Sequence, residues 1–490
     1  MRIARLSCRD QHAREHPLIE QYTLASLLAA LRGEKLSPRE ATEACLARIR
    51  DWQPAINAFI AIETDDALAA ADKVNTAGAL AGAPLAHKDM FYRAGRIATC
   101  GSALRREWRA DTTSSALAKL DLAGALTLGT LNMAEFAYGP TGHNDSFGHC
   151  RNPWNTDHLP GGSSSGSGAA VAARLVFGAL GSDTGGSVRA PAGACGVTGL
   201  KVTWGRVSRA GVMPLSHTLD TVGPIAQTAE DCAILLAQIA GHDPADPISS
   251  REPVDDYVGR IHDGAKGLRI GVPSRWMAAN CDAAVADALS QALKVLEHEG
   301  AILVEVDGPD IDALSDLQMI VMQPEASSLH ANGLRNHRDL YERGTRARLE
   351  PGFAIPATAY LDALRLRASE LDRFCTQTIA GVDVLATPVM AIGVPTLSGT
   401  GPGSGAAGGK AIGDVTRCLR WVNYLGVPAI ALPAGFDDRG NAGALAGGLP
   451  VGLQLVSRPF TESLLLRIGH AFQRATDWHA RRPSLPESPS

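Results

Sequence analysis

The chain has 490 residues, of which 45% are hydrophobic and 20% are charged, a composition typical of a globular protein with a large buried core. Lys and Arg number 46 against 51 Asp and Glu, so the net charge is −5 and the balance does not favour binding to nucleic acid or to an anionic membrane. The nine cysteines form no C-x-x-C pair, which argues against a disulfide framework and a zinc ribbon. Without a long apolar run or an apolar signal region, we expect a soluble, cytoplasmic protein.

The sequence of residues 1–62 predicts an irregular start followed by two helices and a strand. Residues 1–20 are polar and are expected to be irregular. Leu24, Leu27, Leu28 and Leu31 recur at helical spacing. The segment Ser37-Pro38-Arg39-Glu40 is typical of a capping box with proline in the first turn, so it predicts the start of the second helix. Apolar residues then alternate over 56–62, as in a strand.

Farther along, short apolar runs alternate with helical stretches. The runs that predict strands lie at 123–128, 175–180, 268–272, 302–306, 382–386 and 429–432. Between the third and fourth runs, Asp282 is the predicted N-cap of a helix that ends near Gly300. This alternation predicts an α/β fold with a mixed, largely parallel central sheet covered by helices on both faces.

The chain shows no linker that would separate domains. We therefore expect a single domain over residues 21–482, with the densest motifs at about 80–230, and a flexible tail at 483–490. The glycine-rich stretch 401–409 predicts a flexible surface loop. It contains a G-x-G-x-x-G match, but no acidic residue follows at the distance that a dinucleotide site requires.

Two turns of small residues carry the strongest chemical signal. The first is the tract 161–168, and the second is Gly185-Gly186-Ser187. Consecutive N–H groups in such turns can bind an anion, and the tetrahedral intermediate of acyl transfer needs such donors for its oxyanion. The first tract also matches the G-x-S-x-G nucleophile elbow, with Ser164 as nucleophile, but it lacks the strand that must precede that elbow.

Several segments in order make the sequence similar to a known family. They are GGSSSGS at 161–167, GSDTGGSVRAPAGACGVTGLKVT at 181–203, APLAHKD at 83–89, NMAEFA at 132–137 and FGHCRNPW at 147–154, with later blocks at 205–227 and 448–460. Together they resemble the amidase signature family of serine hydrolases, the Ser-cisSer-Lys amidases. Ser182, Val202 and Ser457 depart from residues common in that family, and none of them belongs to the proposed triad.

The resemblance implies roles for individual residues. The nucleophile corresponds to Ser187, the bridging serine to Ser163 and the base to Lys88. The implied oxyanion donors are the backbone N–H groups of Thr184, Gly185, Gly186 and Ser187, and Ala137 lies where the family's backbone lines the substrate site. Supporting hydrogen bonds are implied for Ser164, Asp183 and Arg189.

Lysine can serve as a base only in its neutral form. Its pKa must therefore fall from about 10.4 to about 7–8, which burial without a carboxylate partner can achieve. Ser163 would then relay a proton between Lys88 and Ser187. An ion pair with the adjacent Asp89 would oppose this shift, so we expect the Asp89 carboxylate to point away. We interpret His87 as structural or substrate-facing rather than as a second base.

The resemblance implies a hydrolase that cleaves the C–N bond of a small-molecule amide through a seryl acyl-enzyme, and it allows ester or carbamate hydrolysis. We expect no cofactor and no metal. The expected partner is the small-molecule amide, with no nucleic acid and no membrane, and the family allows a homodimer. One alternative is the glutaminase-type subunit of a tRNA-dependent amidotransferase, although segment 323–356 resembles a stand-alone amidase more. The other is a non-catalytic binding protein on the same scaffold.

Overall fold

The computed structural model describes residues 19–401, 403–437 and 448–485. The predicted irregular segment 1–20 lies outside these ranges except for its last two residues, which begin a short 3-10 turn, Ile19–Gln21. The predicted tail 483–490 lies outside them from residue 486 onward. The single domain expected over 21–482 stays a prediction. In the described ranges, no helix is both long and apolar enough to span a bilayer.

Helices and strands alternate along the chain, as the sequence predicted. The strands are β1 (Phe59–Ile62), β2 (Pro84–Lys88), β3 (Leu126–Leu131), β4 (Gly178–Asp183), β5 (Thr198–Lys201), β6 (Thr221–Ala226), β7 (Arg269–Val272), β8 (Ile302–Glu305), β9 (Val384–Pro388), β10 (Ala429–Asp437) and β11 (Leu449–Ser457). The helices are α1 (Leu24–Arg32), α2 (Pro38–Ile56), α3 (Thr64–Ala71), α4 (Ser115–Leu122), α5 (Ser165–Ala172), α6 (Arg189–Cys195), α7 (Ala229–Ile239), α8 (Ser274–Asn280), α9 (Ala283–His298), α10 (Ile311–Asn336), α11 (Arg343–Leu349), α12 (Ala357–Arg373), α13 (Leu397–Thr400), α14 (Gly405–Arg417), α15 (Arg420–Leu425) and α16 (Glu462–Arg474).

Local signals place several of these helices correctly. The capping box at the start of α2 is confirmed, since the Glu40 N–H donates to Ser37 Oγ at 3.2 Å and the Ser37 N–H donates to the Glu40 carboxylate at 2.8 Å. Asp282 precedes α9 as expected. The prediction of a loop over 401–409 is wrong in its second half, because α14 begins at Gly405. Burial of Val415 and Thr416 on this helix stabilises a conformation that glycine itself does not favour.

One mixed sheet of 11 strands runs through the molecule, in the order β1-β3-β2-β4-β6-β5-β10-β11-β9-β7-β8. The α/β fold with a mixed sheet is therefore confirmed. Strands β4, β6, β9 and β11 are buried at every residue, so both faces of the sheet are covered. Parallel pairing joins β3 to β2, β2 to β4, β9 to β7 and β7 to β8, and the other pairings of the described strands are antiparallel. The sheet is thus less parallel than predicted.

The pairing of β2 with β4 creates the location of the site. These two strands are parallel neighbours, so they end at the same edge of the sheet. Lys88 is the last residue of β2, and Asp183 is the last residue of β4, directly before the turn 184–187. Helix α5 begins directly after Ser164 and packs against both strands. The fold therefore brings the lysine segment and both small-residue turns to one edge.

Candidate active site

Lys88 is fully buried at the end of β2 and contacts two hydroxyl groups. Its Nζ donates hydrogen bonds to Ser163 Oγ at 2.7 Å and to Ser182 Oγ at 2.9 Å. Burial lowers the pKa of Lys88 from its ordinary value of 10.5 to about 7, although the more distant Asp220 and Asp183 carboxylates act against this shift. Lys88 makes no ion pair in the described part of the chain. A large share of this amine is therefore neutral near pH 7.

The neighbouring carboxylate points away from Lys88, as expected. Asp89 Oδ2 accepts hydrogen bonds from the Thr99 N–H at 3.0 Å and from the Thr99 hydroxyl. Burial raises the pKa of Asp89 to about 7. His87 is also buried, and burial lowers its pKa to about 4. Because His87 does not line the substrate cavity described below, the structure favours the structural interpretation of this residue.

Ser163 and Ser187 lie on neighbouring segments but differ in exposure. The peptide bond between Gly162 and Ser163 is cis, and the Ser163 side chain is fully buried against Lys88. Ser187 is partly exposed, and its carbonyl accepts a hydrogen bond from the Ser164 N–H at 3.3 Å. The structure does not join the Ser163 and Ser187 hydroxyls by a hydrogen bond. Ser164 Oγ is buried and donates to the Ser182 carbonyl at 3.3 Å, so it does not face the substrate.

Asp183 holds the turn that carries Ser187. Its Oδ1 accepts from the Gly186 N–H at 2.8 Å, and its Oδ2 accepts from the Val188 N–H at 3.1 Å. Arg189 donates to the same carboxylate at 2.9 and 3.0 Å, and both side chains are fully buried. Burial alone would raise the pKa of Asp183, but the Arg189 guanidinium more than reverses this and holds that pKa well below its usual range. The ionised carboxylate therefore fixes the geometry of the turn.

Two further buried side chains hold Arg189 in place, and sequence reasoning missed both. Arg189 donates to Asn423 Oδ1 at 2.6 Å and to Gln454 Oε1 at 2.7 Å. Asn423 in turn donates to Asp183 Oδ1 at 2.9 Å. Asn423 belongs to α15 and Gln454 to β11, so no pattern around the Ser187 turn could have indicated them.

The oxyanion donors require one correction. The Gly186 N–H was expected among them, but it donates to Asp183. The N–H groups of Thr184, Gly185 and Ser187 donate to no protein acceptor among the described residues, so they are available to a ligand. Gly186 has a φ of +121°, and a Cβ there would lie 2.5 Å from Leu419 Cδ1. Only glycine fits this position, which lets the turn pack tightly.

Thr184 is anchored on two sides. Its hydroxyl donates to Asp220 Oδ1 at 2.6 Å, and its carbonyl accepts from Gln318 Nε2 at 2.9 Å. Asp220 Oδ2 also accepts from the Leu215 and Ser216 N–H groups, at 2.9 and 3.0 Å. Burial raises the pKa of Asp220. These bonds hold the start of the turn rigid before any ligand binds.

A cavity of about 230 Å³ opens onto the turn. Ser187, Thr184 and Gly185 line it, and so does Ala137 at the end of the 3-10 turn Glu135–Ala137. Further polar side chains line it that the sequence did not single out, among them Tyr138, Gln318, Arg348 and Arg420. The structure thus places the predicted nucleophile in a small pocket, with the predicted base buried behind it.

Comparison with known proteins identifies the family to which this chain belongs. The model of the Amidase family matches residues 40–466. The chain belongs to the Amidase family. The resemblance drawn from the sequence motifs is therefore confirmed, and the protein is an amidase-family enzyme.

Relatives that align over almost the whole chain are described as proteins with different functions. A glutamyl-tRNA(Gln) amidotransferase subunit from Azotobacter vinelandii is 38% identical and covers 95% of this chain and 99% of its own. One solved structure is described as an unexpected vestigial protein complex that reveals the evolutionary origins of an s-triazine catabolic enzyme. Its chain is 33% identical to this one, with a TM-score of 0.84, and the alignment covers 92% of this chain and 98% of that chain. A 6-aminohexanoate cyclic dimer hydrolase is 26% identical, with a TM-score of 0.86 over 95% and 99%.

These relatives overturn the predicted partners. We expected a small-molecule amide alone, with at most a second copy of the chain. The Azotobacter relative, similar over almost its whole length, is one subunit of an amidotransferase, so the prediction of a small molecule as the only partner is wrong. The sequence motifs did not decide between a stand-alone amidase and the glutaminase-type subunit, which shares the same triad, and the choice of the stand-alone enzyme depended on segment 323–356.

Proposed function

We propose that this amidase cleaves the C–N bond of a small amide through an ester on Ser187, as the catalytic member of a complex with another protein. The observation that carries the chemistry is the environment of Lys88, a buried amine that donates to Ser163 at 2.7 Å and has no ion-pair partner among the residues that the structure describes. With a pKa of about 7, roughly half of this amine is neutral at pH 7. It can therefore accept a proton from a neighbouring hydroxyl.

In the first step Ser187 Oγ forms a bond to the carbonyl carbon of the amide. Its proton passes to Ser163 Oγ, whose own proton passes to Lys88 Nζ. The tetrahedral intermediate then expels the amine, the C–N bond breaks, and the proton returns from Lys88 through Ser163 to the leaving nitrogen. Water attacks the ester by the same relay and releases the acid. The sum is amide plus water giving acid plus amine.

The turn 184–187 can stabilise the negative charge that develops on the substrate in this step. The carbonyl oxygen becomes an oxyanion, and the N–H groups of Thr184, Gly185 and Ser187 are the available donors. The proposal requires the hydroxyls of Ser163 and Ser187 to approach each other when substrate is bound. Catalytic hydrogen bonds are often long in a free enzyme and tighten in the complex.

Two versions of this function share the chemistry and the need for a partner. The first is the glutaminase-type subunit of a tRNA-dependent amidotransferase, supported by the name of the Azotobacter relative. The second is an amidase that acts on another small amide within a protein complex, supported by the structure from the s-triazine work. Ammonia release from glutamine is the measurement that separates them. It should be compared for the chain alone and for the chain purified with its co-expressed neighbours.

The nucleophile is tested by Ser187→Ala, with Ser369→Ala on the exposed face of α12 as the matched control. Removal of a serine nucleophile typically costs about 10⁴-fold or more in rate, so Ser187→Ala should be nearly inactive and Ser369→Ala fully active. Mass spectrometry of the quenched wild-type enzyme should find an acyl adduct on the peptide that contains Ser187. An adduct elsewhere, or substantial activity of Ser187→Ala, would assign the nucleophile to another residue.

A further inference from the structure

Two arginines and one tyrosine in the active-site cavity lack hydrogen-bond and ion-pair partners in the described part of the chain. Arg348 lies on α11, Arg420 begins α15, and Tyr138 follows the turn that ends at Ala137. Among the described residues, neither guanidinium makes a hydrogen bond or an ion pair. The Tyr138 hydroxyl is buried and also has no partner there. The cavity that contains the predicted nucleophile therefore holds two cations and a free hydroxyl.

This arrangement leaves both cations partly desolvated and without a hydrogen-bonded anion among the described residues. Burial lowers the pKa of Arg348 and of Arg420, although the Glu342 charge acts against this shift at Arg348 and the Asp316 charge acts against it at Arg420. Both arginines also act on Tyr138, whose pKa burial nevertheless raises to about 12, so its hydroxyl keeps its proton. A partly desolvated cation binds an anion more strongly than a fully solvated one, and guanidinium groups bind carboxylates with two parallel hydrogen bonds.

We propose that Arg348, Arg420 and Tyr138 bind a carboxylate of the substrate, so that the preferred substrate is the monoamide of a small dicarboxylic acid. This rests on the proposed function, since it assigns the substrate class of that site. The cavity of about 230 Å³ also lies below the roughly 300–1,000 Å³ of typical ligand pockets, which suits a short molecule.

The charges in the cavity also argue against a substrate ammonium group. Among the described residues, no Asp or Glu lines this cavity. The carboxylates of Glu135, Asp145 and Glu342 line an adjoining cavity, which Arg348 and Tyr138 also line, and the Glu342 charge acts on Arg348. Glu342 is engaged by the backbone N–H groups of residues 145 and 146, whose hydrogen bonds it accepts at 2.8 and 3.2 Å. An ammonium beside Arg348 and Arg420 would therefore meet two like charges and no carboxylate in the same cavity. A zwitterion such as glutamine should be a poorer substrate than the same amide without its ammonium.

Gln318 supplies an acceptor for the other end of such a substrate. Its Nε2 is occupied by the Thr184 carbonyl at 2.9 Å, whereas its buried Oε1 has no partner among the described residues. A Cβ built on Gly185 would lie 3.3 Å from Gln318 Nε2 and 3.7 Å from Arg420 Cγ, so both residues lie next to the oxyanion turn. The amide N–H of a substrate held at this turn can donate to Gln318 Oε1.

Three matched amides test the proposal. Glutaramate carries the carboxylate, valeramide replaces it with a methyl group, and glutamine adds an ammonium to glutaramate. Each charge-assisted hydrogen bond is worth about a 10- to 100-fold change. We expect kcat/KM for glutaramate to exceed that for valeramide by at least about 100-fold, and to exceed that for glutamine by at least about tenfold. Arg348→Gln and Arg420→Gln should each lower kcat/KM for glutaramate about 10- to 100-fold, mainly through KM, and change valeramide turnover little.

Arg346→Gln is the matched control, because Arg346 lies on the same helix, does not line the cavity and approaches Asp339 at 3.8 Å. It should leave all three rates unchanged. Binding is measured separately by titrating glutarate into the full-length Ser187→Ala protein by calorimetry. Glutarate should bind, and Arg348→Gln in that background should weaken binding about 10- to 100-fold. Thermal unfolding establishes that each variant is folded.

The outcomes separate this inference from the proposed chemistry. If kcat/KM for valeramide equals that for glutaramate, or if the arginine variants lower the turnover of both amides equally, the carboxylate site is wrong while the amidase chemistry stands. If kcat/KM for glutamine exceeds that for glutaramate, the inferred exclusion of a substrate ammonium is wrong. If no amide is cleaved but glutarate binds through Arg348, the carboxylate site stands and the proposed chemistry fails. If glutarate does not bind to folded Ser187→Ala protein, the carboxylate site is wrong whatever the rates are.

Discussion

Replacing Lys88 with methionine should stabilise this protein while it abolishes amide hydrolysis. Methionine is apolar and similar in length, whereas Lys88 is fully buried without an ion-pair partner in the described structure. Burial lowers its pKa from 10.5 to about 7, and the unfolded chain has the ordinary value. Folding at neutral pH must therefore either release the proton of Lys88 or bury a charge, and both lower the free energy of unfolding.

The magnitude follows from the two pKa values. At pH 7 the difference between 10.5 and about 7 corresponds to about 4 kcal/mol of lost stability. The variant also loses the hydrogen bonds from Lys88 to Ser163 and Ser182, worth about 2 kcal/mol together. The net expectation is that Lys88→Met raises the free energy of unfolding by about 2 kcal/mol at pH 7.

The pH dependence has a definite sign. Between the folded and unfolded pKa values of Lys88 the unfolded chain binds more protons, so the wild type gains stability as the pH rises. The advantage of Lys88→Met should therefore fall by about 2–3 kcal/mol between pH 6 and pH 9. Urea unfolding of both proteins, followed by circular dichroism at several pH values, measures this difference in the free energy of unfolding. Lys294→Met, at an exposed position of α9, is the control and should show no such trend.

Two results would refute this reasoning. If Lys88→Met is less stable than the wild type at every pH, the burial of Lys88 is not costly. If the stability difference does not change between pH 6 and pH 9, the pKa of Lys88 is not lowered, and the amine cannot act as the neutral base near pH 7. In either case the proton relay through Ser163 would need another acceptor.

The other predictions concern the same charges and the network beneath the turn. The kcat/KM for an amide should rise with pH and level off above about pH 7, because only neutral Lys88 accepts a proton; an inflection near 10 would contradict this. Ser182→Asp should move that inflection up by about 1–3 pH units relative to Ser182→Asn, since it adds a carboxylate beside the ammonium. Asp220→Asn should move the inflection in kcat/KM to lower pH, because the Asp220 charge favours protonated Lys88. A movement to higher pH would contradict this reasoning. Asn423→Leu should lower the free energy of unfolding by about 2–4 kcal/mol, measured in urea, since it removes partners of buried Asp183.

Short-range signals predicted where elements occur better than where they begin. The capping box of α2 needs only Ser37 and Glu40, and the structure contains it. The strands expected at 123–128 and 175–180 lie three residues later, as β3 and β4, because the start of each apolar run forms the turn after α4 or α5. In these turns the Ala125 N–H donates to the Leu120 carbonyl and the Leu175 N–H donates to the Ala170 carbonyl. An apolar run indicates that a segment is buried, but not which of its residues join the sheet. The helix at Gly405 was missed for a similar reason, since packing rather than glycine propensity stabilises it.

What the sequence determined by itself is the chemistry of the reacting groups. The segments around Lys88, Ser163 and Ser187 are short contiguous stretches, so their resemblance to the motifs of the family was sufficient to propose the base, the hydroxyls and the backbone turns. Only the tertiary structure decided the charge of the pocket and the support of the turn. Arg348 and Arg420 meet at one cavity from different helices, and Asn423 reaches Asp183 from a distant helix. Such contacts depend on how helices pack on the sheet, and this packing is not encoded in any local pattern.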